Sequence, residues 1–249
     1  MQSGWRARTG LVALVVATAL AAALSACGGP GLVKYYEYDE DIYLSVDGSA
    51  TIYLNASVPV LVNLRGLDLD TRPTAILDRA KVRRLFTTPA ARVTRVSRWR
   101  RFGRQFLQVR LAVDDITRLG AAVPFSWATY QFDRRDGLIV YRQDLAAAAG
   151  KPVGDVGWKG NELIAVRVHL PSRIRYHNAG AGNLKRGNIL VWEQSLADRQ
   201  AGKPLAIEAR IEQTSILYST LMLFAVSGVL ALLVLTTLIW WVVRKGKRA

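Results

Sequence analysis

The stretch IYLSVDGSATIYLNASV, residues 42 to 58, decides how the larger part of the chain folds. Apolar residues occupy alternate positions on both sides of the turn Asp47-Gly48-Ser49. They are Ile42, Leu44 and Val46 before the turn, and Ile52, Leu54, Ala56 and Val58 after it. Because successive side chains of a strand point to opposite faces, both runs place these residues on one face. The stretch therefore predicts a β-hairpin with one buried side.

Alternating segments continue as far as residue 211. Two more hairpins are expected, pairing 92–99 with 105–113 and 125–132 with 138–145, and single strands at 162–170, 189–196 and 205–211. An apolar stripe predicts a helix over 71–87, capped by Thr71 or Thr74, and a short helix spans 114–120. We therefore expect an α+β fold with an antiparallel, hairpin-rich sheet and one or two helices, in a single domain at 34–215.

The N-terminal residues have the pattern of an export signal. Arg6 and Arg8 precede an uncharged apolar run at 11–23, and small residues follow up to Cys27. The five residues from Leu24 to Gly28, LSACG, resemble the lipobox of bacterial lipoproteins, in which the cysteine becomes the lipidated first residue. We predict a signal peptide at 1–26, lipidation of Cys27 and a short tether to residue 33. The alternative is an ordinary signal or an uncleaved anchor with an incidental cysteine.

The C-terminal region predicts a transmembrane helix. Residues 216–243 contain no charge, and at about 1.5 Å per residue they span roughly 42 Å, enough to cross a hydrocarbon core of about 30 Å. Trp240 and Trp241 precede a basic tail at 244–249, which favours a cytoplasmic C-terminus and an extracytoplasmic domain. A buried core helix is the alternative. The protein is thus expected in the cell membrane, as a single-pass protein with an N-terminal lipid anchor.

A basic hairpin is the main candidate for a binding site. The net charge is +15, and residues 28–215 alone carry +9, so anionic partners are favoured. Within 92–104, arginines surround Trp99 and Phe102. The predicted lipid-contacting residues are Arg95, Arg98, Trp99, Arg100, Arg101 and Arg104. Guanidinium groups pair with phosphates and aromatic rings favour lipid interfaces, so we predict contact with anionic headgroups of the anchoring membrane. Nucleic acid is not expected outside the cytoplasm, and a solvated hairpin that protects an edge strand is the alternative.

Signatures of catalysis do not emerge from the sequence. The histidines are His169, predicted to point outward from its strand, and His177, in a turn, and one cysteine cannot build a zinc site. The acidic run from Glu37 to Asp41 lacks the spacing of a calcium loop. We predict no enzymatic activity, no cofactor and no metal.

Residues 170–211 resemble the LppM-like family of bacterial envelope lipoproteins. The matching positions are Pro171, Asn178, Gly187, Asn188, Trp192, Gly202, Leu205 and Ala209. The resemblance implies an ectodomain similar to lipid-binding folds and a role in binding membrane lipid or glycolipid, with no catalytic residues. The competing interpretation is a structural subunit that contacts another membrane protein through small residues of the C-terminal helix, which are Ser219, Thr220, Ser227, Gly228, Thr236 and Thr237.

Overall fold

The computed structural model describes residues 34–180 and 182–246. The predicted signal peptide, Cys27 and its tether lie outside these residues, as does the end of the basic tail. The described chain forms eleven strands, four α-helices and two short 3₁₀ helices. The strands are β1 Tyr36–Leu44, β2 Ala50–Ser57, β3 Ala91–Arg101, β4 Arg104–Val113, β5 Ala128–Arg135, β6 Leu138–Leu145, β7 Leu163–His169, β8 Ser172–His177, β9 Leu184–Lys185, β10 Ile189–Ser195 and β11 Leu205–Ser215.

The strands form two sheets that share one apolar core. The first has the order β3-β4-β2-β1-β7-β10-β9, and the second has the order β5-β6-β11-β8. The expected α+β fold, with hairpins at β1–β2, β3–β4 and β5–β6, is confirmed. One pair departs from the antiparallel expectation, because β7 lies parallel to β1 after the chain has returned through the second sheet. The short strands β8 and β9 were not predicted.

Helix α1, Val58–Arg65, replaces the predicted end of the first hairpin. The Ser57 side chain accepts a hydrogen bond from the Val60 amide at 3.2 Å, Pro59 lies in the first turn, and Gly66 ends the helix at a φ of 68°. All eight residues are buried, so the segment shows no polar face and reads as a continuation of the strand.

Helix α2, Arg79–Phe86, is shorter than the helix predicted over 71–87. Its cap is Asp78, whose carboxylate accepts from the Ala80 amide at 2.7 Å, and not Thr71 or Thr74. The segment before it is not helical, and its carbonyls at Arg72, Pro73 and Ala75 accept from the Gln105 side chain at 3.2, 3.3 and 2.7 Å. The predicted short helix at 114–120 is a 3₁₀ helix, Ile116–Ala121, capped by Asp115. A further short helix, α3 Leu196–Gln200, follows β10.

A buried hydrogen bond between Arg65 and Glu40 fastens α1 to β1 at the centre of the core. The Arg65 guanidinium lies 2.8 Å from the Glu40 carboxylate, and both side chains are fully buried. Tyr38 donates its hydroxyl to Glu40, and the Arg65 guanidinium lies over the rings of Tyr38, Phe125 and Trp127 at 4.5 to 4.8 Å. Burial raises the pKa of Glu40 to about 8 and lowers the pKa of Arg65 to about 9.

Helix α4, Ile216–Gly246, continues directly from β11. Its stretch Ile216–Trp241 has the length and composition to cross a membrane, and none of it is buried. Contact with the domain is made at its first residue, where the Ile216 amide donates to the Pro171 carbonyl at 3.1 Å. The core at 36–215 is therefore complete without α4.

Candidate lipid-contacting tip of the β3–β4 hairpin

The β3–β4 hairpin projects beyond the end of the first sheet. Trp99 pairs with Phe106, and Phe106 pairs with Ser57, the last residue of β2. The pairs Arg100–Gln105 and Arg101–Arg104 have no neighbouring β2 residue. Residues 100–104 therefore extend beyond the end of β2, and we call residues 98–103 the tip.

The turn at the tip has an aromatic residue in an unfavourable conformation. Phe102 and Gly103 have φ values of 49° and 74°, and two successive positive values define the hairpin turn that Asn-Gly normally occupies. Phe102 has a side chain and pays a steric cost there that Gly103 does not. Its ring remains 60% exposed, with the Arg101 guanidinium 4.8 Å from its centre. The conformation of the turn therefore does not account for the presence of phenylalanine at position 102.

Strand alternation divides the predicted arginines between two faces. Val96 pairs with the buried Val109, so Arg98 and Arg100 lie on the face that continues from the core. The opposite, outer face carries Arg95, Trp99 and Arg101. Of these residues, Arg101 has its guanidinium over the Phe102 ring, whereas Arg95 lies seven residues before Phe102 in β3, outside the tip.

Trp99 is partly a structural residue. Its ring stacks on Phe106 at 4.6 Å, and its Nε1 donates to the Asn55 Oδ1 at 3.2 Å. The ring is 39% exposed, so one face of it remains open to solvent. Among the residues that the structure describes, no carboxylate forms an ion pair with Arg95, Arg98 or Arg100.

Arg104 does not lie with the other predicted site residues. It is only 6% exposed, and its guanidinium lies 2.6 Å from the buried Glu37 carboxylate. It also donates to the carbonyls of Val156 and Gly157 at 3.1 and 3.0 Å. The inclusion of Arg104 in a headgroup site is corrected: its charge is already paired inside the domain.

The tip and the start of α4 lie at opposite ends of the domain. Cross-strand pairing aligns one residue from each of five neighbouring strands, so that these residues lie at the same height along the sheet. They are Arg92, Ala112, Thr51, Tyr43 and His169. His169 is followed after one residue by Pro171, which binds the first amide of α4. Phe102 lies ten residues further along β3 from this level, which corresponds to about 33 Å.

The acidic run of β1 is paired with β7. Arg167 contacts Asp39 and lies 3.7 Å from Asp41, and His169 Nε2 lies 3.3 Å from Asp41. His169 stacks on Tyr43 at 3.8 Å on the outer face, as its strand position predicted. Burial raises the pKa of Asp39, and the Arg167 guanidinium opposes that rise. Within 34–180 and 182–246, no group of three or more His, Cys, Asp or Glu residues is placed to hold a metal ion.

Three of the residues that carry the family resemblance, Asn178, Asn188 and Trp192, have structural roles. Asn178 Oδ1 accepts from Trp192 Nε1 and from the Glu208 amide, both at 2.9 Å, and its Nδ2 donates to the Ala206 carbonyl. Asn188, at a φ of 59°, donates to the Ser172 carbonyl at 2.9 Å. These bonds join β10 to the β8–β11 region and do not form a reactive site.

Comparisons with known proteins add one structural match. No family model matches the chain, and no curated protein matches it. A solved structure that is similar is the NMR structure of the folded domain of LppM from Mycobacterium tuberculosis, with 12% identity and a TM-score of 0.43. The match covers 77% of this chain and 99% of that domain. LppM gives its name to the family that residues 170–211 resemble.

Proposed function

We propose that this protein is a membrane-anchored envelope lipoprotein whose extracytoplasmic domain binds anionic lipid or glycolipid headgroups and catalyses no reaction. The observation that carries the proposal is Phe102, an exposed ring held at positive φ at the end of a projecting basic hairpin. A conformational cost at an exposed aromatic residue is expected where that residue serves binding.

The chemistry of the tip suits a phosphate-bearing lipid surface. The tip carries the guanidinium groups of Arg98, Arg100 and Arg101. Each guanidinium group can bind two oxygens of one phosphate. Each basic residue near an anionic bilayer contributes about 1 kcal/mol. Burial of the Phe102 ring, which is 60% exposed before binding, adds about 1 to 2 kcal/mol. The sum of about 4 to 5 kcal/mol corresponds to dissociation constants near the millimolar range, so a single tip binds weakly. Anchoring by α4 would offset this weakness by keeping the domain close to membranes.

Binding of the isolated domain to vesicles tests the proposal. Residues 34–215 retain the complete core, so this fragment is expected to fold without α4. It should sediment with vesicles of phosphatidylcholine and phosphatidylglycerol and not with phosphatidylcholine alone. Arg98→Gln, Arg100→Gln and Arg101→Gln together should abolish sedimentation.

A matched control removes the same charge elsewhere. Arg79, Arg118 and Arg186 are exposed and lie outside the tip. Their joint replacement by Gln lowers the net charge equally, and it should leave most of the vesicle binding intact. Equal loss in both triple variants would mean that binding follows overall charge and not the tip.

The alternative role, a subunit that packs through α4, has less support. The hydroxyls of Ser227, Thr236 and Thr237 donate to carbonyls of the preceding turn within the same helix at 2.8 to 2.9 Å. These hydroxyls therefore need no partner helix for their hydrogen bonds. Close packing of small residues against another helix remains the basis of this second candidate.

A further inference from the structure

We infer that the tip binds an anionic bilayer other than the one that α4 crosses, so that the protein links two lipid surfaces. This inference rests on the proposed function and adds the location of the partner. It departs from the sequence-based expectation that the tip contacts the anchoring membrane.

The first sheet separates the tip from the anchor. As the cross-strand pairing shows, Phe102 lies about 33 Å along β3 from the level of His169. Pro171, two residues after His169, holds the start of α4. The tip and the anchor are therefore separated by most of the length of the domain.

Strand β11 gives the same result by an independent path. Ser195, at the end of β10, pairs with Leu163, and Leu163 pairs with Tyr36, the first residue of β1. This is the end of the sheet at which the tip projects. From there the chain passes through α3 into β11, whose eleven residues lead to the start of α4. The exposed side chains of α4 show that the helix does not fold back along the domain.

Two hairpins with the same turn geometry differ at the two ends. The β5–β6 turn has Asp136 and Gly137 at φ values of 51° and 75°, nearly those of Phe102 and Gly103. It lies beside the start of α4, because Leu138 pairs with Glu212, three residues before the end of β11. The turn next to the anchor thus carries a carboxylate, and the distant turn carries an aromatic ring.

Charge also differs between the two ends. The tip, residues 98–103, contains three arginines and no acidic residue, whereas residues 133–136 of the β5–β6 hairpin contain two aspartates and two arginines, whose charges balance. An anionic surface therefore complements the tip better than it complements the turn beside the anchor. The occupant that fits the tip is a second bilayer with anionic headgroups.

Vesicle clustering by the full chain tests this inference. The protein is reconstituted in phosphatidylcholine vesicles and mixed with separate vesicles that contain phosphatidylglycerol, and light scattering reports clustering. Clustering is expected with the anionic vesicles and not with neutral ones. It should be lost with Arg98→Gln, Arg100→Gln and Arg101→Gln together, and kept in the triple control at Arg79, Arg118 and Arg186.

A second measurement reports contact with the anchoring membrane. A bimane, itself an apolar ring system, is attached at Phe102→Cys in a Cys27→Ser background. The protein is then placed in vesicles that contain both phosphatidylglycerol and a spin-labelled headgroup, diluted until light scattering shows no clustering, so that only the anchoring membrane can quench the bimane. Absence of quenching supports the inference.

The possible results separate the two proposals. Quenching without clustering, together with binding of the isolated domain to anionic vesicles, overturns the inference and leaves the proposed function standing. Failure of the isolated domain to bind any vesicle overturns both. Binding of soluble polyphosphate but not of anionic vesicles identifies a polymeric anion as the partner and likewise overturns both.

Discussion

Replacement of Phe102 by asparagine should make the domain more stable and its membrane binding weaker. The left-handed conformation costs an L-residue roughly 1 to 2 kcal/mol, and asparagine tolerates it better than phenylalanine because its short amide bonds locally. With φ at 49°, Phe102 lies fully within that region. Phe102→Asn should recover about 0.5 to 1 kcal/mol. For a domain of this size, that gain raises Tm by roughly 1 to 4 °C.

The binding loss follows from the exposed ring. Full burial of a phenylalanine side chain yields about 1.5 to 3 kcal/mol. Because 60% of Phe102 is exposed before binding, insertion into a bilayer gains about 1 to 2 kcal/mol. Each 1.4 kcal/mol is about tenfold in affinity, so Phe102→Asn should weaken vesicle binding by roughly five- to thirtyfold.

Two assays on the domain at 34–215 measure these opposite effects. Thermal unfolding followed by circular dichroism gives Tm, and titration with phosphatidylglycerol vesicles gives the affinity. Asp136→Asn is the matched control, since Asp136 has nearly the same φ in the other hairpin turn. It should not weaken vesicle binding. A lower Tm for Phe102→Asn would show that the ring stabilises the fold, and unchanged binding would show that it does not enter the bilayer.

Three further outcomes test the structure. Arg104→Gln leaves Glu37 without its ion-pair partner and should lower the free energy of unfolding in urea by about 3 to 5 kcal/mol. Arg98→Gln should lower it by less than about 0.5 kcal/mol. Similar values for the two variants would contradict the distinction between a buried and an exposed arginine. The pKa of Glu40 is about 8 in the fold and about 4.5 in the unfolded chain, so the unfolded chain releases a proton that the fold keeps, and stability should fall as pH rises from 5 to 8. Glu40→Gln should reduce that slope, measured as the urea midpoint at both pH values; an unchanged slope would exclude Glu40 as its source. Cys27→Ala should stay in the membrane fraction through α4 but incorporate no labelled palmitate, and its release from membranes would refute the topology.

The first hairpin could be predicted because one of its faces is buried and the other is not. Ile42 and Ile52 alternate with polar neighbours, and that period survives in the sequence. Helix α1 could not be predicted, because burial on all sides leaves no alternation of apolar and polar residues in its sequence. Its remaining signals are the capping residues Ser57 and Gly66. The segment before α2 is bound by Gln105, a residue about thirty positions away in the chain, and such a contact cannot be predicted from local rules.

The residue types of the tip could also be predicted, but not their arrangement. Arg104 is indistinguishable from Arg101 in the sequence, and its burial depends on Glu37, which lies 67 positions earlier. The distance from tip to anchor depends on the parallel pairing of β1 with β7, which joins segments more than a hundred residues apart. No local pattern encodes such pairings.

The direct passage from β11 into α4 makes the domain and the helix a lever. No loop separates Ser215 from Ile216, and the bond from Ile216 to Pro171 fastens the joint from a second strand. Transmembrane helices tilt by about 20° on average. Over an arm of about 33 Å, a change in tilt of that size moves the tip sideways by about 11 Å. A membrane protein that packs against α4 and changes its tilt would therefore change the position at which Phe102 meets a bilayer, without altering a contact within the domain.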